Sequence, residues 1–88
     1  MTTAFLASFL TDVKKLRNAQ VRRAVAAAIV NVEQASSLTY VRSLKRLSGH
    51  HDYYRIRIGE WRVGLHVSGQ TVTFVRCLNR REIYRFFP

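Results

Sequence analysis

YYRIRIGEWRVGLHV, residues 53–67, alternates apolar and polar side chains on either side of Gly59-Glu60. A period of two marks a strand with one buried face, and a two-residue Gly-X loop joins antiparallel strands through a type II′ turn. The stretch therefore predicts a hairpin, with strands over 53–58 and 61–67. Such a loop sets Ile58 opposite Trp61, and the rest of the register follows. Ile56 then faces Val63 and Tyr54 faces Leu65, which makes one apolar face. On the opposite face Arg57 lies across from Arg62, Arg55 across from Gly64, and Tyr53 across from His66. Like charges directly opposite on a sheet are unfavourable. The Arg57–Arg62 pair, with Arg55 adjacent and a hollow expected at Gly64, points to a concave site for an anion such as phosphate.

Working outward, Val67–Gln70 reads as a second tight turn into a strand over 71–78, TVTFVRCL. If its loop is also two residues long, Val72 and Phe74 join the apolar face, while Thr71, Thr73 and Val75 join the arginine face. Upstream, Tyr40–Leu47 alternates loosely and Gly49–Asp52 reads as a polar turn. Before residue 40 the period is helical. Phe9, Val13 and Leu16 make one apolar stripe. Val21, Val25, Ala28, Ile29 and Val32 make another, over residues 19–35, where the alanines favour helix. Ser8 is the expected N-cap of the first helix, Asn18 marks a helix end, and residues 2–6 suit a short edge strand. The fold class expected is α+β: one domain over residues 1–88, with an N-terminal helical hairpin packed on a small antiparallel sheet.

Charge narrows the function. Fifteen Lys and Arg against five acids give a net charge of +10, and twelve of the fifteen are arginines. Residues 1–40 hold five cations and two acids, net +3, whereas residues 41–88 hold ten and three, net +7. An arginine-rich basic half points to nucleic acid or to an acidic protein partner, because the guanidinium fork suits phosphate and carboxylate. Cys77 is the only cysteine, so no internal disulfide forms, and it reads as core. The apolar run AFLASFL, residues 4–10, is too short to cross a membrane and has no basic region before it. The chain is expected to be cytoplasmic. No P-loop, dinucleotide or zinc pattern occurs, and His50-His51 beside Asp52 lacks further ligands at metal spacing. The pair reads as part of the polar turn, with neither metal nor cofactor expected. Phe86 and Phe87 suit core closure and a partner contact equally.

The stretch KRLSGHHDYYRIRIGEWRVGLHVSGQTVTFVRCLNRREIY, residues 45–84, resembles the core of the RelE toxin family, within the wider RelE/ParE superfamily. The matching pieces are K-x-L-x-G before the sheet, Y-R-I-R-I-G-x-aromatic-R-V in the hairpin, and R-R-E-I-Y near the C-terminus. The opening SFLTDVKKL also resembles the family's first helix, so the likeness covers nearly the whole chain. It implies the toxin of a type II toxin–antitoxin system. Such a toxin is a metal-independent endoribonuclease that cuts mRNA in the ribosomal A site and is neutralised by a cognate acidic antitoxin. Cleavage uses the 2′-hydroxyl of the RNA as nucleophile, and arginines supply charge to the phosphorane.

Carried over by position, the resemblance makes Arg62, Arg80 and Tyr84 catalytic. Arg55 and Arg57 fall on the family's two basic strand positions. Lys45, Arg46, Arg81 and His66 complete the expected substrate-binding set, with ribosomal RNA phosphates meeting the surplus charge. Two departures bear on proton transfer. Some members have lysines where this chain has Arg55 and Arg57, and a guanidinium is no base. Many carry histidine just before the late arginine, where this chain has Asn79. Tyr84 is then the candidate base, with His66 second. The alternatives are a ParE-like gyrase-inhibiting toxin and a non-catalytic RNA- or antitoxin-binding module. Arg80 and Tyr84, which ParE-type chains generally lack, favour the nuclease.

Overall fold

In the computed structural model, which describes Met1–Pro88, Gly59 and Gly69 each take a positive φ of 56° at the first position of a two-residue loop. That conformation suits a residue without Cβ, and it matches the right-handed twist of the strands it joins. The two loops build an antiparallel meander of β3 (His50–Ile58), β4 (Trp61–Ser68) and β5 (Thr71–Asn79). The hairpin register is as expected at every pair from Ile58↔Trp61 to Tyr53↔His66.

Four further elements precede the meander. They are β1 (Thr2–Phe5), α1 (Ala7–Lys14), α2 (Ala19–Gln34) and β2 (Leu44–Leu47), with one 3₁₀ turn over Leu38–Tyr40. A last short helix, α3 (Ile83–Phe86), was not foreseen. The sheet runs β1-β5-β4-β3-β2, so β1 is an edge strand as expected, but it lies parallel to β5. The sheet is thus mixed. A parallel partner must be reached by a long connection, and here α1, α2 and the meander supply it.

Both helices turn their predicted stripes onto one sheet face. Phe9, Leu16, Val25 and Val32 are buried with Ile56, Val63, Leu65, Val72, Phe74 and Cys77 in one core. Burying a side chain of this size contributes about 1.5–3 kcal/mol. α1 lies against β5, whereas α2 crosses β1 and β3. Asn18 caps α2, its Oδ1 accepting from the Gln20 and Val21 amides at 2.8 and 3.1 Å. Ser8 is not a cap: its hydroxyl donates to the Val75 carbonyl at 2.6 Å, tying α1 to the sheet. No helix is long and apolar enough to cross a membrane.

A bulge in β5 sets the rest of the geometry. Gly64 pairs with Arg76 and Leu65 with Phe74, so Val75 has no partner on β4. Unbroken alternation from Phe74 would drive Arg76 into the core and turn Cys77 outward. The bulge reverses this. Cys77 becomes buried, and Arg76 makes a two-pronged pair with the buried Asp12 of α1, at 2.7 and 3.1 Å.

Candidate active site

The face of the sheet away from α1 and α2 carries the arginines. Lys45 of β2 stands opposite Arg55 of β3, and Arg57 opposite Arg62 of β4. Two like-charge pairs therefore occupy neighbouring rows. The Arg62 guanidinium folds back on the hairpin loop, donating to the Gly59 and Trp61 carbonyls at 2.7 and 2.9 Å. Its pKa is held below the usual guanidinium value, first by loss of solvent, then by Arg55 and Arg57, and least by Arg80. Tyr84 acts on it in the opposite sense. Five predicted residues thus share one electrostatic neighbourhood. Arg55 is anchored by a 2.8 Å bond to the Ser43 carbonyl, and Arg80 pairs with Glu60 at the loop.

A cleft of about 410 Å³ opens beside this cluster. Lys45, Arg46, Arg55 and Tyr84 line it, together with His50 and Phe87. The cleft exists because α3 docks across the arginine face. Ile83 and Phe87 are buried there with Leu47, forming a second small core with Tyr53, Val75 and Leu78. Tyr84, between these two anchors in sequence, is left 61% exposed at the cleft.

The expected hollow at Gly64 is not open. The Phe87 ring covers it so closely that a Cβ at Gly64 would lie 2.8 Å from three ring carbons. Glycine serves here to admit a ring rather than a phosphate. Phe87 therefore closes an apolar core, whereas Phe86 remains 52% exposed with the Arg76 and Arg85 guanidiniums near its ring.

Five residues of the expected set do not line the cleft: Arg57, Arg62 and Arg80 stand in the cluster beside it, and His66 and Arg81 lie apart. His66 lies against the Tyr53 ring, 4.9 Å between centroids, and does not line it. Arg81 is exposed and borders a separate groove with Glu60, Trp61 and Arg80. The Asn79 side chain accepts from the Arg81 amide at 3.0 Å, so it shapes the turn that aims Arg80. Cys77 is inert core: burial pushes its thiol up to about 12. Nowhere do three His, Cys, Asp or Glu side chains gather as metal ligands.

His50 was missed. The turn is tighter than expected, occupying Ser48 and Gly49, so His50–Asp52 belong to β3. The register jumps there, with Leu47 opposite His50 but Arg46 opposite Tyr54. This irregularity brings His50 to the cleft. The K-x-L-x-G piece adjoining it was the available signal.

No protein-family model matches the chain. Toxin RelE3 of Methanocaldococcus jannaschii is 35% identical to it over 89 residues, spanning all of both chains. The chain belongs to the RelE toxin family.

Solved RelE structures share the fold. The RelB–RelE antitoxin–toxin complex from Methanococcus jannaschii superposes with a TM-score of 0.82 at 34% identity, covering 97% of this chain and 99% of that one. The RelE–RelB complex from Pyrococcus horikoshii OT3 gives 0.72 at 17% identity, covering 90% and 93%. The intact E. coli RelBE complex gives 0.70 at 20%, covering 89% and 94%. The latter two show the common fold alone. In this RelE-family toxin, the face that carries the charge is the one that α3 crosses. Arginines on the sheet and one exposed tyrosine on the helix docked across it can bind an RNA phosphate, hold its developing charge and meet a hydroxyl proton.

Proposed function

We propose that this toxin is a ribosome-dependent mRNA endoribonuclease that needs no metal and is neutralised by an acidic antitoxin. The observation that carries the reading is the gathering of Arg55, Arg57 and Arg80 around a partly desolvated Arg62, with Tyr84 beside it. Such a cluster is uphill by itself and relaxes when a phosphate enters. Arg62 and Arg80 are assigned to the non-bridging oxygens of the pentavalent phosphorane. Tyr84 takes the 2′-hydroxyl proton, and Lys45, Arg46, Arg55 and Arg57 hold the flanking backbone. Arg81 and Arg85, outside the cleft, meet ribosomal RNA. His66 supports Tyr53 rather than touching the substrate.

Dependence on the ribosome follows from what the cleft supplies. It is rich in charge and poor in groups that exchange protons, so rate must also come from holding the 2′-oxygen in line with the phosphorus. Such positioning supplies up to about 7–11 kcal/mol. The toxin complexes of its structural relatives support the antitoxin assignment. The test is cleavage of one mRNA, free and in a programmed ribosome, with the same purified toxin. Cleavage faster in the ribosome by at least about 100-fold, on the scale positioning can supply, is expected. Equal rates would make it a free-standing ribonuclease. No cleavage, with inhibition of gyrase supercoiling, would assign it to the ParE-like alternative.

A further inference from the structure

In the ribonuclease reaction proposed for this toxin the cleft supplies a base and a surplus of positive charge, but so far nothing to protonate the departing 5′-oxygen. Lys45, Arg46 and Arg55 carry fixed charge at neutral pH, and Tyr84 is committed to the 2′-hydroxyl. The remaining group is His50, at the start of β3, on the cleft wall with Lys45, Arg46, Arg55 and Tyr84. Its ring meets the edge of the Tyr53 ring, 6.3 Å between centroids and 89° between planes. Tyr53 is itself wedged edge-on against the buried Phe87 at 5.6 Å. His50 therefore leans on the same packed cluster that seats α3 and Tyr84. Its neighbour His51 is different. That side chain is 84% exposed, sits 3.6 Å from Asp52 and does not line this cleft.

We propose that His50 is the general acid of the reaction, a role that rests on the ribonuclease reading. Tyr84 removes the 2′-hydroxyl proton as the O2′–P bond forms. As the P–O5′ bond breaks, the His50 imidazolium passes a proton to the 5′-oxygen. The products are a 2′,3′-cyclic phosphate and a 5′-hydroxyl, with one proton taken and one given, so no oxidant or co-reactant is consumed. Histidine suits the task because it alone among ordinary side chains changes charge between about pH 5 and 8. Around it stand Lys45 and Arg46 from β2, Arg55 and Tyr53 from β3, and Tyr84 from α3. Guanidiniums and a lysine ammonium are poor partners for proton exchange, so with Tyr84 engaged at the 2′-hydroxyl the imidazole is the group left to serve the 5′-oxygen.

The experiment is single-turnover cleavage of ribosome-bound mRNA by the wild-type toxin, His50→Gln and His51→Gln. Two scissile linkages are compared, the natural one and one with sulfur in place of the bridging 5′-oxygen. A thiolate leaves without protonation, so the sulfur linkage needs no acid. His50→Gln is expected to slow natural cleavage by about 10²–10⁴-fold, the usual worth of acid catalysis. It should leave half-saturating ribosome concentration unchanged, so that the loss falls on the chemical step. On the sulfur linkage it should match the wild type. His51→Gln should behave as wild type throughout. Undiminished natural cleavage by His50→Gln, or an equal defect on both linkages, overturns the role while the ribonuclease reading stands. If the wild type cuts neither substrate, that reading fails and the acid assignment with it.

Discussion

Arg62 bears desolvation and the charge of three guanidiniums at once, relieved in part by the Tyr84 phenolic oxygen. Its own bonds go only to the Gly59 and Trp61 carbonyls, so the fold asks little of it. Arg62→Ala and Tyr84→Phe are each expected to remove most growth inhibition while shifting unfolding free energy by no more than about 1 kcal/mol. Growth assays paired with chemical denaturation check this, and full toxicity in either variant would mean its catalytic role is misassigned. Gly64 is the contrary case, lying beneath Phe87 with no charge of its own. Gly64→Ala should cost about 1–3 kcal/mol, as overpacking does, and should free the C-terminal segment. Because that segment carries Tyr84, cleavage should fall together with protection of residues 83–88 from carboxypeptidase. Retained protection and retained cleavage would show that the ring yields without moving Tyr84.

Among the elements, α1 is held to the sheet edge by polar contacts as well as by Phe9. Asp12, 6% exposed, accepts from Arg76 twice and from the Cys77 amide at 3.0 Å. The Asp12 hydrogen bond, ahead of its charge, is what raises the Arg76 pKa, outweighing partial desolvation. Removing one partner of a buried pair strands the other, so Asp12→Ala should destabilise the fold by about 3 kcal/mol. Replacing both residues with apolar side chains, as Asp12→Leu with Arg76→Met, should recover much of that loss, and thermal denaturation of single and double variants measures it. A double variant as unstable as Asp12→Ala would show that the pair sets the position of α1 and does more than satisfy its own charges. α1 and β5 are 64 residues apart at this contact, and no local pattern in either announces the other.

At the scale of the whole molecule, the net charge of +10 lies mostly in residues 41–88, and the sheet sets Lys45, Arg55, Arg57 and Arg62 on one face. An acidic antitoxin should therefore associate fast and with marked salt dependence, since steering works over a Debye length of about 10 Å at 0.1 M. Stopped-flow association is expected to slow at least about tenfold between about 0.05 and 0.5 M salt, and to slow less for a variant with Lys45, Arg46 and Arg55 neutralised. A rate indifferent to salt would place antitoxin recognition on apolar contacts such as Phe86.

What the sequence determined by itself is what has a short range along the chain. Period two and the Gly59-Glu60 loop were enough for the hairpin register, since the loop leaves one pairing that buries Ile56, Val63 and Leu65. Period 3.6 was enough for both long helices and their buried stripes. The clustering of Arg55, Arg57 and Arg62 followed from that register. Tertiary structure alone decided what depends on contacts between distant residues. β1 runs parallel to β5 because the helices carry the chain across the sheet before the meander returns. Arg76 leaves the core because Val75 bulges, and it finds Asp12 only once α1 has docked. The Gly64 hollow reads the same in sequence whether a phosphate or a ring fills it, and only the path of the last six residues settles it for Phe87. His50 reaches the cleft for the same reason: the jump in register between Arg46 and Leu47 comes from pairing two strands, and neither strand encodes it alone.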